Sequence, residues 1–322
     1  MSHFDLVALG EVMLRLAAPP PQRLEQTVSL EVQIGGAEAN VAAACARLGL
    51  RTTLISAFPA DNVWGDRIIR EMTSHGIDCA GVLRRPASRI GLYFLEYGVD
   101  PRPIRVLYDR RDSALSRLTP DEVDWGLVRG ARLVHLSGVT AALGDNLRQV
   151  IRRALDEAQS AGVPVSFDVN YRSKLWTPTA ARTFLGEILP RLRFLFVGAD
   201  DAETVFGLAG PPEGVLKGLR ALAPEATIAL TLGEAGSAVL DGAAVLRPCR
   251  LYTVSVVDRV GAGDAYAAGF LWASLIGRTA QHAVDAATAL AALKCTIWGD
   301  VPLTTRVELE ELLASDSTEI RR

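Results

Sequence analysis

Lysine is scarce in this chain. Of 322 residues only Lys174, Lys217 and Lys294 are lysine, so its basic side chains are nearly all arginine. The formal net charge is −3, and no excess of positive charge points to a nucleic-acid partner. The four cysteines, at 45, 79, 249 and 295, stand far apart with no CxxC or Cys/His spacing. That pattern excludes a disulfide framework and a zinc site, and makes a reducing cytoplasm the expected compartment. The four histidines, at 3, 75, 135 and 282, form no relay; His135 reads as a satisfied core residue. No apolar run reaches about 18 residues, so no membrane span is expected. The start, Met1-Ser2-His3-Phe4-Asp5, lacks the basic residues of a signal peptide. Two nucleotide motifs are absent as well. There is no G-x-x-x-x-G-K-[ST], and no G-x-G-x-x-G follows the first apolar run; this excludes a P-loop NTPase and a nicotinamide dehydrogenase. Internal repeats and low-complexity linkers are also missing.

What remains is 49% hydrophobic, enough for one large α/β domain. Phe4 to Glu11 is an apolar run closed by glycine and predicts a buried parallel strand. Ala37 to Leu48 predicts a helix with Val41, Ala44, Cys45 and Leu48 on one face, ended by Gly49. Thr52 to Ala57 predicts a strand, and Asp66 to His75 a helix with Ile68, Ile69 and Met72 inward. This is the β-α-β-α order of a doubly wound, mostly parallel sheet. Two stretches interrupt it. Leu14 to Ala18 and Leu30 to Ile34 are short mixed strands around the loop at Pro19-Pro20-Pro21. Arg89 to Tyr97 and Ile104 to Tyr108 predict a hairpin with no crossover helix. The two interruptions, at about 12–34 and 89–110, are expected to pair into a small separate β-sheet inserted in one domain spanning 1–322. Alternation then resumes, with strands at 132–136, 163–168, 194–197, 227–232 and 238–240. The helices in this part are predicted at 146–161, 179–189, 264–276 and 280–293. The polar tail after Ser315 is expected to fray.

The most informative stretch is Asp258-Arg259-Val260-Gly261-Ala262-Gly263-Asp264, a glycine turn running into a helix. Such a turn points unpaired N–H groups outward at a helix N-terminus, where the dipole adds positive charge. The site suits a phosphate. Asp264 inside it is expected to be held as a carboxylate, ready to accept a proton from a hydroxyl. Anion hole plus base is the minimum apparatus for moving a phosphoryl group onto an alcohol. The plainer reading of the same residues is a helix cap, with Asp264 satisfying helix N–H groups.

This stretch resembles the C-terminal signature of the ribokinase-like (PfkB-type) sugar kinases, with Arg259 and Val260 where the family usually has two threonines. Gly35-Gly36-Ala37-Glu38-Ala39-Asn40 resembles the same family's sugar-binding Gly-Gly-x-x-x-Asn stretch, and the resemblance extends over nearly the whole chain. It implies a ribokinase-like α/β fold with a small β lid, ATP as phosphoryl donor and Mg²⁺ as its companion. Gly35, Gly36 and Asn40 are then expected to meet the sugar, the glycines by allowing close backbone approach; the plain alternative is a helix start. Thr231-Leu232-Gly233-Glu234-Ala235-Gly236 resembles the nucleotide loop, which places Thr231, Gly233 and Gly236 against the ATP phosphates beside Gly261 and Gly263. Any hairpin can carry that pattern by itself. The family's Asn-x-x-Glu is altered here to Gly198-Ala199-Asp200-Asp201. Asp201 is the residue expected to face Mg²⁺ through water, and the alternative is that Asp200 and Asp201 cap the next helix.

Asp168-Val169-Asn170-Tyr171-Arg172, followed by Leu175-Trp176, lies where α/β sheets bind ligands. It resembles the 2-keto-3-deoxygluconate kinase branch of the family, as does Tyr108-Asp109-Arg110; Tyr93 fits the same branch. Arg110 and Arg172 can each hold a carboxylate by paired N–H bonds, and Tyr93 and Tyr108 can bond sugar oxygens. A neutral sugar needs no arginine clamp, whereas a 2-keto acid sugar does. Asn170 and Arg172 are also expected near the nucleotide. The expectation is therefore an ATP-dependent kinase phosphorylating 2-keto-3-deoxy-D-gluconate on its 6-hydroxyl, with Asp264 as base and Gly261, Ala262 and Gly263 supplying N–H donors. Such an enzyme acts on a small acid sugar and needs no nucleic acid or membrane. A homo-oligomer formed through the lid is expected from its exposed sheet. The alternatives are a kinase of fructose, ribose or 5-dehydro-2-deoxygluconate, a catalytically silent sugar or nucleotide sensor, and a structural dimer.

Overall fold

The computed structural model describes residues 4–99 and 101–315. Asp100 of the hairpin loop and the tail beyond Ser315 lie outside the described residues. The chain opens with β1 (Leu6–Leu9) and leaves the main layer for β2 (Met13–Ala17) and β3 (Glu31–Gly35). It returns through the helix Ala37–Arg47 to β4 (Thr52–Pro59), and after the helix Val63–Ser74 adds β5 (Ile77–Asp78) and β6 (Val82–Arg85). It leaves again for β7 (Leu92–Glu96) and β8 (Arg105–Asp109). The remaining strands are β9 (Val134–Ser137), β10 (Val165–Asp168), β11 (Phe194–Gly198), β12 (Thr227–Thr231), β13 (Ser237–Asp241) and β14 (Ala244–Leu246).

Ten strands form the main sheet in the order β14-β13-β12-β11-β10-β9-β1-β4-β5, with β6 also paired to β4. Every pairing is parallel except those of β13 and β14. Apolar runs buried on both faces explain the parallel strands: all eight residues of β4 are buried. In β1, Val7 and Leu9 enter the core on one face while Leu6 and Ala8 enter the core on the other, the period of two that a strand imposes. The helix Asp145–Ser160 covers the first face with Leu147, Val150, Ile151, Ala154, Leu155 and Ala158. Two Ala-rich helices, Ala262–Leu275 and Ala280–Cys295, join the core on the second. They pack so closely that a Cβ at Gly269 would lie 2.7 Å from the Ala286 carbonyl oxygen.

The short strands β5 and β6 and the helix Pro212–Leu222 have no counterpart in the sequence expectations. The helix expected at 66–75 begins earlier, because Asn62 caps it by accepting from the Trp64 and Gly65 N–H groups. Ile68 and Met72 are buried there, while Ile69 is half-buried. His135 is buried against Ser166, and burial pushes its pKa down to about 3, as befits a neutral core histidine. Among the described residues no helix is long and apolar enough to cross a membrane.

The two interruptions do pair with each other, in the order β3-β2-β7-β8. β2 runs antiparallel to β3 and parallel to β7, and β7 runs antiparallel to β8. The register puts Gln33, Arg15, Tyr93 and Tyr108 in one row across this small sheet. The next row, Val32, Leu16, Phe94 and Leu107, lies on the opposite face. Parallel strands also bring the segments that follow β1, β10, β11 and β12 to one edge of the main sheet, where the small sheet docks.

Candidate active site

Asp258 builds the glycine turn. Its Oδ1 accepts the Val260 N–H at 3.0 Å and its Oδ2 accepts the Gly299 N–H at 3.2 Å. Gly261 then adopts φ 87°, the left-handed region, and a Cβ there would collide with the Asp300 carbonyl; both constraints demand glycine. The helix starts at Ala262. The Ala262 N–H turns back to the Arg259 carbonyl at 3.2 Å, and the Ala265 N–H bonds to the Gly261 carbonyl at 2.9 Å. The sequence expectation counted Ala262 among the outward donors; in the structure it is spent inside the turn. The Gly261, Gly263 and Asp264 N–H groups have no protein acceptor among the described residues, and a Cβ at Gly263 would face open space. An anion can therefore approach this turn at Gly263.

Asp264 does not cap its own helix. Its Oδ2 accepts from Asn40 Nδ2 at 2.7 Å. This bond joins the two sequence signatures across 224 residues. The expectation that the turn would hold Asp264 as an ordinary carboxylate needs correction. Its pKa is pushed up to about 7, chiefly by burial and further by Asp300 and Glu38, against the opposing pull of the Asn40 bond and Arg172. Desolvation and like charge outweigh the Asn40 bond and Arg172 here.

A side chain at Gly35 or Gly36 would meet the protein itself. A Cβ at Gly36 would collide with the Glu11 carbonyl, and one at Gly35 with the Tyr93 hydroxyl and the Asp300 carboxylate. The protein itself fills that room. Tyr93 donates its hydroxyl to Asp300 Oδ2 at 2.6 Å, so its proton is committed and only a lone pair remains for a sugar oxygen. Tyr108 stands beside it, with ring centroids 6.2 Å apart. Arg110 is buried under the small sheet, its guanidinium 5.6 Å from the Tyr108 ring centroid and paired with Glu11.

Behind these residues runs a buried ionic cluster. Arg15 is fully buried and bonds Asp300, Tyr97 and, at 2.5 Å, Asp258. Tyr97 donates to Asp258 Oδ2 at 2.9 Å. Lys294, also fully buried, donates from Nζ to the carbonyls of Asp258 at 2.9 Å and Ile297 at 3.2 Å. Tyr97 stacks on Trp298 at 4.6 Å, and Trp298 Nε1 donates to Glu31. The small sheet is thus wired to the segment that carries the glycine turn.

On the main-sheet side, Asn170 follows β10 with φ 38°, a conformation non-glycine residues adopt at functional or strained positions. Asp168 accepts the Asn170 N–H at 3.1 Å. Burial pushes the Asp168 pKa up to about 8, and the charges of Asp264 and Asp201 add to it, while Arg172 opposes. Asp201 accepts the Tyr171 N–H at 3.0 Å, and burial raises its pKa too. The cap reading of Asp200 and Asp201 does not hold: the helix Ala199–Phe206 has Gly198 at its N-cap and no side-chain cap. Arg172 is exposed, bonded among the described residues only to the Tyr171 carbonyl at 3.4 Å, and lies within electrostatic reach of Asp168, Asp201 and Asp264. Thr231 ends β12 and Gly233 and Gly236 form the next turn with φ 60° and 85°. That turn is closed by the Leu232 N–H donating to the Gly236 carbonyl at 2.8 Å.

Residues 3–303 match the pfkB family of carbohydrate kinases. The chain belongs to that family. A 2-dehydro-3-deoxygalactonokinase of Haloferax volcanii is 35% identical over 318 residues, 99% of each chain. A 2-dehydro-3-deoxygluconokinase of Thermoproteus tenax is 34% identical over 96% of this chain and 94% of its own. The crystal structure of a 2-dehydro-3-deoxygluconokinase from Thermotoga maritima superposes with a TM-score of 0.91 at 34% identity, covering 97% of this chain and 99% of that one. As a carbohydrate kinase, the protein transfers a phosphoryl group to a sugar. Sequence reasoning passed over Glu11, Arg15, Glu38, Asp300 and Lys294. Their one legible trace was charge inside apolar surroundings, as in Met13-Leu14-Arg15-Leu16-Ala17 and in Leu290 to Cys295, where a lone cation interrupts a buried run.

Proposed function

We propose that this kinase is ATP-dependent and phosphorylates 2-keto-3-deoxy-D-gluconate on its terminal 6-hydroxyl. The observation that carries the reading is the open Gly261–Gly263 turn beside Asp264 with a pKa near 7, with the buried Arg110 reaching the same carboxylate electrostatically by way of Glu38. Asp264 accepts the hydroxyl proton as attack on the γ-phosphate begins. A base with pKa near the working pH suits that task. The N–H groups of Gly261 and Gly263 hold the charge that develops on the transferring group. Arg110 grips the substrate carboxylate, which gives the acid its advantage over a neutral sugar. Arg172 lies where it can meet either the acid or the phosphates. The small sheet serves as the lid that keeps water from the reacting phosphate.

The residues present also fit a magnesium ion. No cluster of three or more His, Cys, Asp or Glu among the described residues could cage a metal. Asp201 and Asp168, both with raised pKa and short of cationic partners, suit an ion held chiefly by phosphate oxygens and water. When bound it neutralises triphosphate charge. Thr231, Gly233 and Gly236 then line the nucleotide side.

A second acid substrate is favoured by a specific observation: the galactono relative is 35% identical over the full length. The two acids differ at C4, which neither Arg110 nor Asp264 reads. ADP release with Mg²⁺-ATP is therefore measured on both acids, 5-dehydro-2-deoxygluconate, fructose, ribose and a blank. Turnover confined to the 2-keto-3-deoxy acids is expected, and turnover on fructose or ribose instead would sink the acid reading. We also propose self-association through the lid, whose outer row Val32, Leu16, Phe94 and Leu107 is apolar and half-buried to exposed. Light scattering at the mass of one chain would refute it.

A further inference from the structure

Glu11 follows β1 and lies buried at the foot of the small sheet. Its Oε2 takes two contacts from one guanidinium: Arg110 Nε–H at 2.7 Å and Nη2 at 2.5 Å. A guanidinium has a side edge, Nε with one Nη, and an end edge of both Nη groups, and either can grip a carboxylate. Glu11 occupies the side edge. Nη1 has no acceptor among the described residues. The Tyr108 ring centroid lies 5.6 Å from the guanidinium carbon. Arg110 is within electrostatic reach of Glu38, and Glu38 of Asp264. Gly91 makes the arrangement sterically possible: a Cβ there would stand 2.9 Å from Glu11 Oε1 and 3.2 Å from Arg110 Cβ.

We propose that Glu11 is the positioning residue of Arg110, holding its side edge so that the end edge is presented to the substrate carboxylate. The proposal rests on the acid-sugar reading above. A long, unpaired arginine would sample several rotamers and lose entropy on binding; fixed in advance, it meets the ligand with that loss already taken in folding. Glu11 also keeps the buried guanidinium from standing uncompensated in the empty enzyme.

The test compares KM and kcat for the 2-keto-3-deoxy acid and for its primary amide, which is close to it in shape and lacks the charge. Glu11→Ala is expected to raise KM for the acid about tenfold or more, with kcat at saturation and KM for the amide little changed. Glu11→Gln, whose amide oxygen still accepts from Nε–H, is expected to recover most of the acid affinity. In an Arg110→Ala background, Glu11→Ala should have no further effect, since coupled residues are not additive. If Glu11→Ala does not fold, as judged by melting, Glu11→Asp takes its place, drawing the carboxylate back by one methylene. Three results overturn the proposal: a lower KM for the acid, equal rises for acid and amide, or a Glu11 effect that persists without Arg110. An acid preference over amide that survives Arg110→Ala fails differently. It overturns the acid-clamp reading itself and the proposal with it.

Discussion

On the small-sheet side of the site, Asp258 and Asp300 are matched by the fully buried Arg15, and Lys294 is held by the Asp258 carbonyl. Glu11 there is matched by Arg110. On the main-sheet side, Asp168, Asp201 and Asp264 share one arginine, Arg172, and that arginine is exposed. Burial, with only that exposed arginine as a cation to offset it, raises Asp168 to about 8 and Asp264 to about 7; burial raises Asp300 as well, even with Arg15 bonded to it. Buried carboxylates with cations fixed beside them serve architecture. Carboxylates left short of positive charge are ready to take it from elsewhere, as a proton or as a divalent ion. On the proposed reading, the proton transfer belongs to the main-sheet side, while the small-sheet side holds the shape and, through Arg110, the substrate.

The largest break in this contrast comes at Asp264. Asp264→Asn keeps the shape and removes the proton acceptor, so kcat is expected to fall by about 10³-fold or more while ATP binding survives. Steady-state ADP release together with calorimetric ATP titration checks both halves. Turnover within tenfold of the parent would leave Asp264 a purely structural partner of Asn40.

Arg15 is the matching break on the other side. Arg15→Met leaves Asp258 and Asp300 without their shared cation, and loss of one partner from a buried ion pair costs about 3–5 kcal/mol. The urea midpoint should fall accordingly. Adding Asp300→Asn should recover part of the loss, because one of the stranded charges is then gone. Equal midpoints for parent and Arg15→Met would mean that the cluster contributes nothing net.

The two sides differ too in how far the sequence foretold them. The parallel strands and amphipathic helices were legible because burial on one or both faces writes a period into the chain. The small sheet was legible because two strand pairs lacked a crossover helix. The glycine turn stood out because glycine, aspartate and a helix start coincide within four residues. By contrast, Arg15 on β2 and Lys294 near the end of its helix carry no local signal of their partners. Arg15 lies 243 residues from Asp258 and 285 from Asp300. Glycine is ambiguous for a related reason. Gly35 and Gly36 do mark close approach, but the approaching groups are Tyr93, Asp300 and the Glu11 carbonyl, and nothing in a Gly-Gly pair says whether protein or ligand will fill the space. The raised pKa of Asp264 was hidden in the same way. It comes first from burial and further from Asp300 and Glu38, all of which only the fold assembles.

A smaller effect tests the electrostatics of the main-sheet side directly. The acid limb of kcat/KM reports the base of the free enzyme, so activity should fall as pH drops through about 7, where Asp264 gains its proton. Asp300 raises the Asp264 pKa by its charge. Asp300→Asn removes that repulsion, favours ionised Asp264, and should move the limb to lower pH by roughly half a unit to one unit.

Arg172→Ala should move the limb in the opposite direction. Arg172 favours the ionised forms of Asp168, Asp201 and Asp264; without it protons are held more tightly and the limb shifts to higher pH. The displacement should be smaller than that of Asp300→Asn, because Arg172 is exposed and solvent and salt screen its field. Raising the ionic strength from about 0.01 M to about 1 M shortens the screening length from about 30 Å to about 3 Å. It should shrink the Arg172→Ala shift well before it touches that of Asp300→Asn, since Asp300 is buried. A shift of the same sign for both variants would show that the limb does not belong to Asp264. A shift from Arg172→Ala that resists salt would show the guanidinium to be drawn into the site once substrate or nucleotide is bound, as a direct contact and no longer a distant charge.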